Sequence, residues 1–198
     1  LPSEHDPFDK MRRELMKDVA DYADEKGPIQ HILISGDIAN TGAKSEYEKA
    51  TEFIKELCRN CKCPDHEVYV VPGNHDKNFN EKGSGVRHLI HEGMCSDNID
   101  SDKHWHDMLT HDVESTQILY RPFKDYYSFA SSFDSIEPMM AKCLEEANEP
   151  FDSKKHKMVM HYKLSNIGDY PINLYGMNTA LTSDWYDIND EGKGNKPA

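Results

Sequence analysis

The stretch Val68-Tyr69-Val70-Val71-Pro72-Gly73-Asn74-His75-Asp76 decides the fold of this chain. Its four β-prone apolar residues predict a short buried strand, and Pro72-Gly73 predicts that the strand ends in a turn. Upstream, Ile29-Gln30-His31-Ile32-Leu33-Ile34-Ser35 is a similar apolar run that ends at Gly36-Asp37. Polar residues directly after buried strands are typical of α/β proteins, which bind ligands at the carboxyl ends of their strands. The two stretches therefore predict two core strands that place polar loops at one edge of a sheet.

The segments around these strands have helical periodicity. Before the first strand, an apolar stripe with steps of three and four residues predicts a helix that we expect to pack on a sheet. It comprises Phe8, Met11, Leu15, Val19 and Tyr22, and Gly27-Pro28 follows it as a helix stop. Between the strands, Ser45 and Glu48 have the spacing of a capping box. They precede a helix whose apolar face is Tyr47, Ala50, Ile54 and Leu57. Helices that alternate with strands predict an α/β architecture.

Residues 77–125 interrupt this alternation with glycines, many charges and several histidines. We interpret them as a lid or cap insertion, with some helix, in a single domain of residues 1–198. Further along, Tyr126-Tyr127-Ser128-Phe129-Ala130 predicts a strand, and residues 135–147 predict a helix. Residues 158–164 and 172–177 predict the two strands of a hairpin.

Composition restricts the classes of function. The chain has 36 acidic and 23 basic side chains and a formal net charge of −13, so its electrostatic field disfavours nucleic acid as a partner. Bound divalent cations would still let an acidic chain hold phosphate groups. The chain contains no apolar run long enough to cross a membrane, and its N-terminus lacks the features of a signal peptide. We therefore expect a cytoplasmic protein that does not associate with membranes.

The cysteines do not form the pattern of a disulfide framework. There are five, an odd number, and Cys58, Cys61 and Cys63 are clustered, which indicates reduced thiols. Together with His66 these three could close a small zinc site. The alternative, which we favour, is a helix end and a loop that are rich in cysteine.

Both predicted loops carry oxygen and nitrogen donors. Asp37 follows Gly36, and Asn74 and His75 follow Gly73, where glycine lets the backbone turn sharply and come close to an ion. A carboxylate, an amide oxygen and an imidazole suit Mn, Fe or Zn. Gly, Asn and Asp are also ordinary turn residues, which is the structural alternative. The occurrence of both sets after buried strands favours a metal site.

The order strand, Gly-Asp-x-x-Asn, helix, strand, Pro-Gly-Asn-His-Asp resembles the second and third motifs of the calcineurin-like metallophosphoesterases. Gly36-Asp37 and Gly73-Asn74-His75-Asp76 carry the resemblance, and the tetrapeptide is its informative part. Thr41-Gly42 and Glu46-Tyr47 are similar to the cyclic-nucleotide phosphodiesterase-like branch. The resemblance implies an α/β fold, a two-sheet sandwich flanked by helices, and a small phosphate ester or nucleotide as substrate.

By this resemblance Asp37 would bridge two divalent metal ions (Mn, Fe or Zn), and Asn74 would bind the second ion through its side-chain oxygen. Two such ions, about 3.5–4 Å apart, hold phosphate oxygens and activate a water. His75 would stabilise charge on the phosphate or protonate the leaving oxygen, and Asp76 would orient the ring of His75. Asn40 would line the same loop. These roles predict a hydrolase of phosphomonoesters or phosphodiesters.

Two motifs of the family have no counterpart in the chain. The first, Asp-x-His after an initial strand, would precede residue 8, where His5-Asp6 has the wrong order. The second, Gly-His-x-His, is missing downstream. The histidine that the family usually carries on an intervening strand, before a proline, is missing as well: His161 lies in a predicted strand, but Tyr162-Lys163 follow it, so we interpret it as a structural strand residue. We therefore expect a chain that is incomplete at both ends. A catalytically inactive binding or scaffold module of this fold is the alternative function, and a DNA-processing nuclease is a third, which the charge disfavours.

Overall fold

The computed structural model describes residues 8–78, 85, 89–90, 103, 107–108, 111–133, 159–167, 170–181 and 183. Within these residues, the helices with defined bounds are α1 (Asp9–Lys26), α2 (Lys44–Cys61), α3 (Val113–Tyr120) and α4 (Lys124–Ala130). The strands with defined bounds are β1 (Ile32–Ile34), β2 (Val68–Val70), β3 (Val159–Ile167) and β4 (Tyr170–Met177). This mixture of helices and strands confirms the predicted α/β class. In this part of the chain, no helix has the length and apolar content needed to cross a membrane.

Strands β1 and β2 form a parallel two-stranded sheet, as the two apolar runs predict. Ile32 pairs with Val68 and Ile34 with Val70, and the ladder continues where the Val71 amide donates to the Ile34 carbonyl at 3.1 Å. Helix α2 connects the two strands, as the crossover of a parallel pair requires. The carboxyl ends of β1 and β2 therefore lie side by side, and the predicted polar loops start there.

Helix α2 begins with a different cap from the predicted one. Its N-cap is Ala43, so Ser45 and Glu48 lie inside the helix and do not form a capping box. Glu46, the third helical residue, accepts from the Ala43 amide at 3.0 Å. The same carboxylate accepts from the amide and hydroxyl of Thr41 at 3.0 and 2.9 Å. A glutamate at this position satisfies amides that the first helical turn leaves without partners.

Helix α1 packs against α2. Asn60 donates to the Met16 sulfur at 3.7 Å, and Lys62 pairs with Asp24 at 2.6 Å. The prediction that the apolar stripe of α1 packs on a sheet is wrong for the residues described. Four of its members are between 42% and 61% exposed, namely Phe8, Met11, Leu15 and Tyr22. Helical periodicity locates an apolar face, but it does not determine which element covers that face.

The predicted strand at residues 126–130 is wrong, because these residues form helix α4. Aromatic residues favour strands in isolation. Here a 3₁₀ turn, Arg121–Phe123, joins α3 directly to α4, and Tyr126, Tyr127, Phe129 and Ala130 are all buried. The Phe129 ring lies 5.2 Å from the Tyr47 ring of α2. Burial against α2 and α3 thus decides the conformation of this segment.

Strands β3 and β4 form the predicted antiparallel hairpin. Met160 pairs with Gly176 and Leu164 with Ile172, with a register shift between Leu164 and Ile167. The predicted helix at residues 135–147 lies outside the described residues. Part of the predicted insertion joins the core, since Thr116, Leu119 and Tyr120 of α3 are each 1% exposed. The lid role of residues 77–125 stays a prediction.

Candidate active site

The loops that follow β1 and β2 touch through their backbones. Gly36 has φ +104°, and a Cβ there would lie 2.5 Å from the Gly73 nitrogen. A Cβ on Gly73 would lie 2.1 Å from Oδ1 of Asp37 and 2.5 Å from its backbone nitrogen. Any side chain at either position would separate the loops, since contacts below 3.0 Å are essentially never made by a real Cβ. The two glycines thus allow Asp37 to lie against the Asn74-His75 segment.

Asp76 fastens the two loops together. Its side chain is 0% exposed, and its carboxylate accepts from the amides of Ala39 at 2.9 Å and Ile38 at 3.1 Å. It also accepts from the Gly73 amide at 2.9 Å and from the Tyr47 hydroxyl at 3.1 Å. A buried carboxylate is stable only with donors of this kind. Asp76 therefore connects the loop after β1, the loop after β2 and helix α2.

Tyr47 supports this arrangement from α2. Its side chain is 3% exposed, and its hydroxyl lies 3.0 Å from the Asp76 carbonyl as well as 3.1 Å from the carboxylate. Burial, followed by the neighbouring charge of Asp76, raises the pKa of Tyr47 far above its usual value. The phenol is therefore a permanent donor to the loop.

Asp37 presents its carboxylate at the loop surface. The residue is exposed and has φ +54°, in the left-handed region that Asp adopts more readily than most residues. Its Oδ1 accepts from the His75 amide at 3.2 Å. Among the described residues no partner contacts its Oδ2, and none contacts the side-chain amide of half-buried Asn74. One carboxylate oxygen of Asp37 and the side-chain amide of Asn74 are thus available in two adjoining loops.

The ring of His75 is held by Asn40. The His75 Nδ1 lies 3.0 Å from the Asn40 carbonyl oxygen. Because a carbonyl can only accept, this contact requires a proton on Nδ1 and leaves Nε2 as the atom available for chemistry. The prediction that Asp76 orients this ring is corrected here, since the Asp76 carboxylate contacts the four donors named above instead. The sequence placed Asn40 in this loop but did not indicate its carbonyl as the partner.

The predicted alternative of a zinc site at the cysteine cluster is not supported. Cys58, Cys61 and Cys63 are buried, and no disulfide joins them. The Cys61 and Cys63 thiols contact backbone carbonyls of Cys58 and Gln30, both at 3.7 Å. Burial raises the pKa of Cys58 to about 12 and that of Cys63 to about 11. Cys58, Cys61, Cys63 and His66 all belong to the described residues, and they form no group of three or more donors that could hold a metal ion.

The family model for calcineurin-like phosphoesterases matches residues 5–190. The chain belongs to this family. No curated protein and no solved structure matches it. Within the calcineurin-like phosphoesterases, divalent metal ions are the usual cofactors. The two loops are therefore compared below with the ligand requirements of a divalent metal ion.

The donors at the loop edge fit a hard or borderline divalent cation, although they form an incomplete set. Asp37 offers a carboxylate oxygen and Asn74 an amide oxygen, which are the donor types that Mn and similar ions accept. In the described ranges, no group of three or more His, Cys, Asp or Glu side chains is close enough to hold a metal ion by itself. Asp37 and Asn74 would therefore supply only part of a coordination shell.

Proposed function

We propose that this calcineurin-like phosphoesterase hydrolyses phosphomonoesters or phosphodiesters with two divalent metal ions held in part by Asp37 and Asn74. The observation that carries the proposal is the juxtaposition of the exposed Asp37 carboxylate with the Asn74-His75 segment, joined by the 3.2 Å contact from the His75 amide. The oxygen donors and the imidazole lie in loops that the buried Asp76 holds together. Rigid support of this kind keeps reacting groups in a productive geometry.

When bound, divalent ions would supply positive charge for the phosphate oxygens and an activated water. Asp37 would hold this charge with its free carboxylate oxygen, and Asn74 with its amide oxygen. The overall charge of −13 would otherwise repel an anionic substrate. Small phosphate esters or nucleotides fit this balance better than a nucleic acid, whose many phosphates the acidic surface would oppose.

The proposed role of His75 follows from its tautomer. With Nδ1–H donating to the Asn40 carbonyl, Nε2 is the nitrogen that can face a substrate. Hydrolysis joins a water oxygen to phosphorus and breaks the bond to the ester oxygen, which then needs a proton. The protonated imidazole would give the Nε2 proton to that oxygen, or donate a hydrogen bond to the charged phosphate. Asp76 would contribute by positioning the loops.

The test is hydrolysis of p-nitrophenyl phosphate and bis-p-nitrophenyl phosphate, measured with added Mn²⁺ and after chelation. We expect Mn²⁺-dependent release of nitrophenol that falls by at least about 100-fold in Asp37→Ala and in His75→Ala. Glu52→Ala, an exposed carboxylate on α2, is the matched control and should retain activity. Turnover that persists in the chelated protein or in Asp37→Ala would refute the assignment of the reaction to this site.

A second candidate function is a catalytically inactive binding or scaffold module of the same fold. It is favoured by the incomplete donor set among the described residues. An inactive module would show no turnover of either substrate, and its Mn²⁺ affinity would not change in Asp37→Ala. Metal-dependent turnover of either ester would rule it out.

A further inference from the structure

Lys77 is a buried lysine directly after the Asn74-His75-Asp76 segment. Its side chain is 1% exposed, although lysine is among the residues least often buried. The preceding residue, Asp76, is 0% exposed. The chain therefore buries an acidic and a basic side chain next to each other, directly after Asn74 and His75. The proposed mechanism gives a role to Asp76 but none to Lys77.

The Lys77 ammonium connects this loop to a distant part of the chain. Its Nζ donates to the Leu181 carbonyl at 3.0 Å and also to the Ser183 carbonyl. The same nitrogen lies 5.6 Å from the centre of the Phe123 ring, within the range of a cation–π interaction. Two backbone carbonyls and an aromatic face thus lie beside the Lys77 ammonium.

Backbone contacts accompany this connection. The Asn78 amide donates to the Pro122 carbonyl at 2.8 Å, so residues 77 and 78 attach the loop after β2 to the turn before α4. On the other side, Asn178 donates to the Tyr127 hydroxyl at 3.2 Å. Asn178, Leu181 and Ser183 are thereby held between α4 and Lys77.

We propose that Lys77 is a positioning residue that sets the metal affinity of the site by clamping residues 73–76 to Leu181 and Ser183. This inference rests on the proposed metal-dependent function. Its physical basis is that a single peptide bond joins Asp76 to Lys77, so the two backbones move together. A displacement of Lys77 moves the Asp76 backbone, and Asp76 holds Ile38, Ala39 and Gly73. The contact between Asp37 and the His75 amide would then lengthen. Removal of groups that support metal ligands typically lowers metal affinity by roughly 10- to 100-fold.

The first experiment measures Mn²⁺ affinity by the electron paramagnetic resonance signal of free Mn²⁺. The variants are Lys77→Met, which removes the charge and the donors, and Lys77→Arg, which keeps both. Lys10→Met is the matched control, because it makes the same change at an exposed position of α1. We expect the Kd to rise about tenfold or more in Lys77→Met, to recover partly in Lys77→Arg and to be unchanged in Lys10→Met. A Kd that is unchanged in a folded Lys77→Met variant overturns the proposal.

The second experiment uses the unmodified chain, so it decides the question even if Lys77→Met does not fold. Coupling between two sites is reciprocal. If Lys77 links the segments, bound Mn²⁺ must slow hydrogen exchange at Thr179 and Ser183. The reporter amides are those of Thr179 and Ser183, which donate to the Met177 and Ala180 carbonyls. Protection near residues 73–76 with none at Thr179 and Ser183 overturns the proposal.

The same method separates failure of this inference from failure of the proposed function. If the unmodified protein binds no Mn²⁺, the metal-dependent function fails. The clamp is then tested in the metal-free protein, where Lys77→Met should accelerate exchange of the Ala39 and Asp76 amides. Those amides donate to the Asp76 carboxylate and the Gly73 carbonyl. Unchanged exchange there would show that Lys77 does not hold the loop.

Discussion

Replacement of Tyr47 by phenylalanine tests whether the Tyr47 hydroxyl stabilises Asp76 and the two loops that Asp76 connects. The change removes one hydroxyl proton, which is shared between the Asp76 carbonyl at 3.0 Å and its carboxylate at 3.1 Å. The carboxylate keeps the amides of Ile38, Ala39 and Gly73 as donors. The loss is therefore one hydrogen bond to a charged group, about 1.5–3 kcal/mol. An isolated buried charge, which costs more, is not created.

The assay is urea unfolding at neutral pH, monitored by fluorescence and by circular dichroism. Tyr47→Phe should lower the free energy of unfolding by about 1.5–3 kcal/mol without changing the denaturant slope. Tyr22→Phe is the matched control, because Tyr22 is 55% exposed on α1, and it should change stability by less than about 0.5 kcal/mol. Equal effects of the two substitutions would refute the view that the Tyr47 hydroxyl holds Asp76.

The close approach of the two loops and the burial of the cysteines have measurable consequences. Gly73→Ala should lower the Mn²⁺-dependent rate of ester hydrolysis about 100-fold, because the new Cβ would meet the Asp37 side chain. Gly85→Ala is the control and should retain the rate, since a Cβ there has nothing within 4 Å. A Gly73→Ala enzyme with full activity would contradict the loop geometry. Native protein at pH 8 should leave Cys58 and Cys63 unmodified by iodoacetamide in peptide mass spectra, since both thiols are buried with raised pKa values; rapid modification of either would contradict their burial. The same raised pKa values predict a contribution to the free energy of unfolding that is complete below about pH 9 and is lost as the pH rises towards 11 and 12. Urea unfolding between pH 8 and 11 should show this decline in stability. A Cys58→Ala/Cys63→Ala protein should show a smaller decline.

The core strands and their loops could be predicted because their signal is local. Apolar runs predict β1 and β2, and the glycines before Asp37 and Asn74 predict sharp turns. The hairpin of β3 and β4 also follows from two apolar runs with a turn between them. In each case the residues that determine the structure lie next to one another in the chain.

Features that depend on tertiary contacts could not be predicted in the same way. Residues 126–130 have the composition of a strand, yet burial against α2 makes them helical. A helical period was present in Phe123, Tyr127 and Ala130, and it is visible only when the window extends upstream. The periodicity located helix α1, but it wrongly predicted that a sheet covers the apolar stripe. The periodicity of apolar residues locates the apolar face of a helix or strand, whereas tertiary packing determines which element contacts that face.

The roles of individual site residues were the least predictable. The sequence indicated Asp76 as the partner of the His75 ring, but the structure gives that contact to the Asn40 carbonyl. Backbone carbonyls carry no residue-specific signal, so this partner could not be identified from residue type. Lys77 had no signal either, because its acceptors at residues 181 and 183 are more than one hundred positions away.

The most direct test of the central claim is an anomalous diffraction map from a crystal of this protein grown or soaked with Mn²⁺. We expect anomalous peaks at the carboxyl ends of β1 and β2, with metal–oxygen distances of roughly 2 Å to Asp37 and to the Asn74 side chain. A well-ordered site with no anomalous peak near Asp37, or with Mn²⁺ bound only elsewhere in the protein, would show that these loops do not form the metal site.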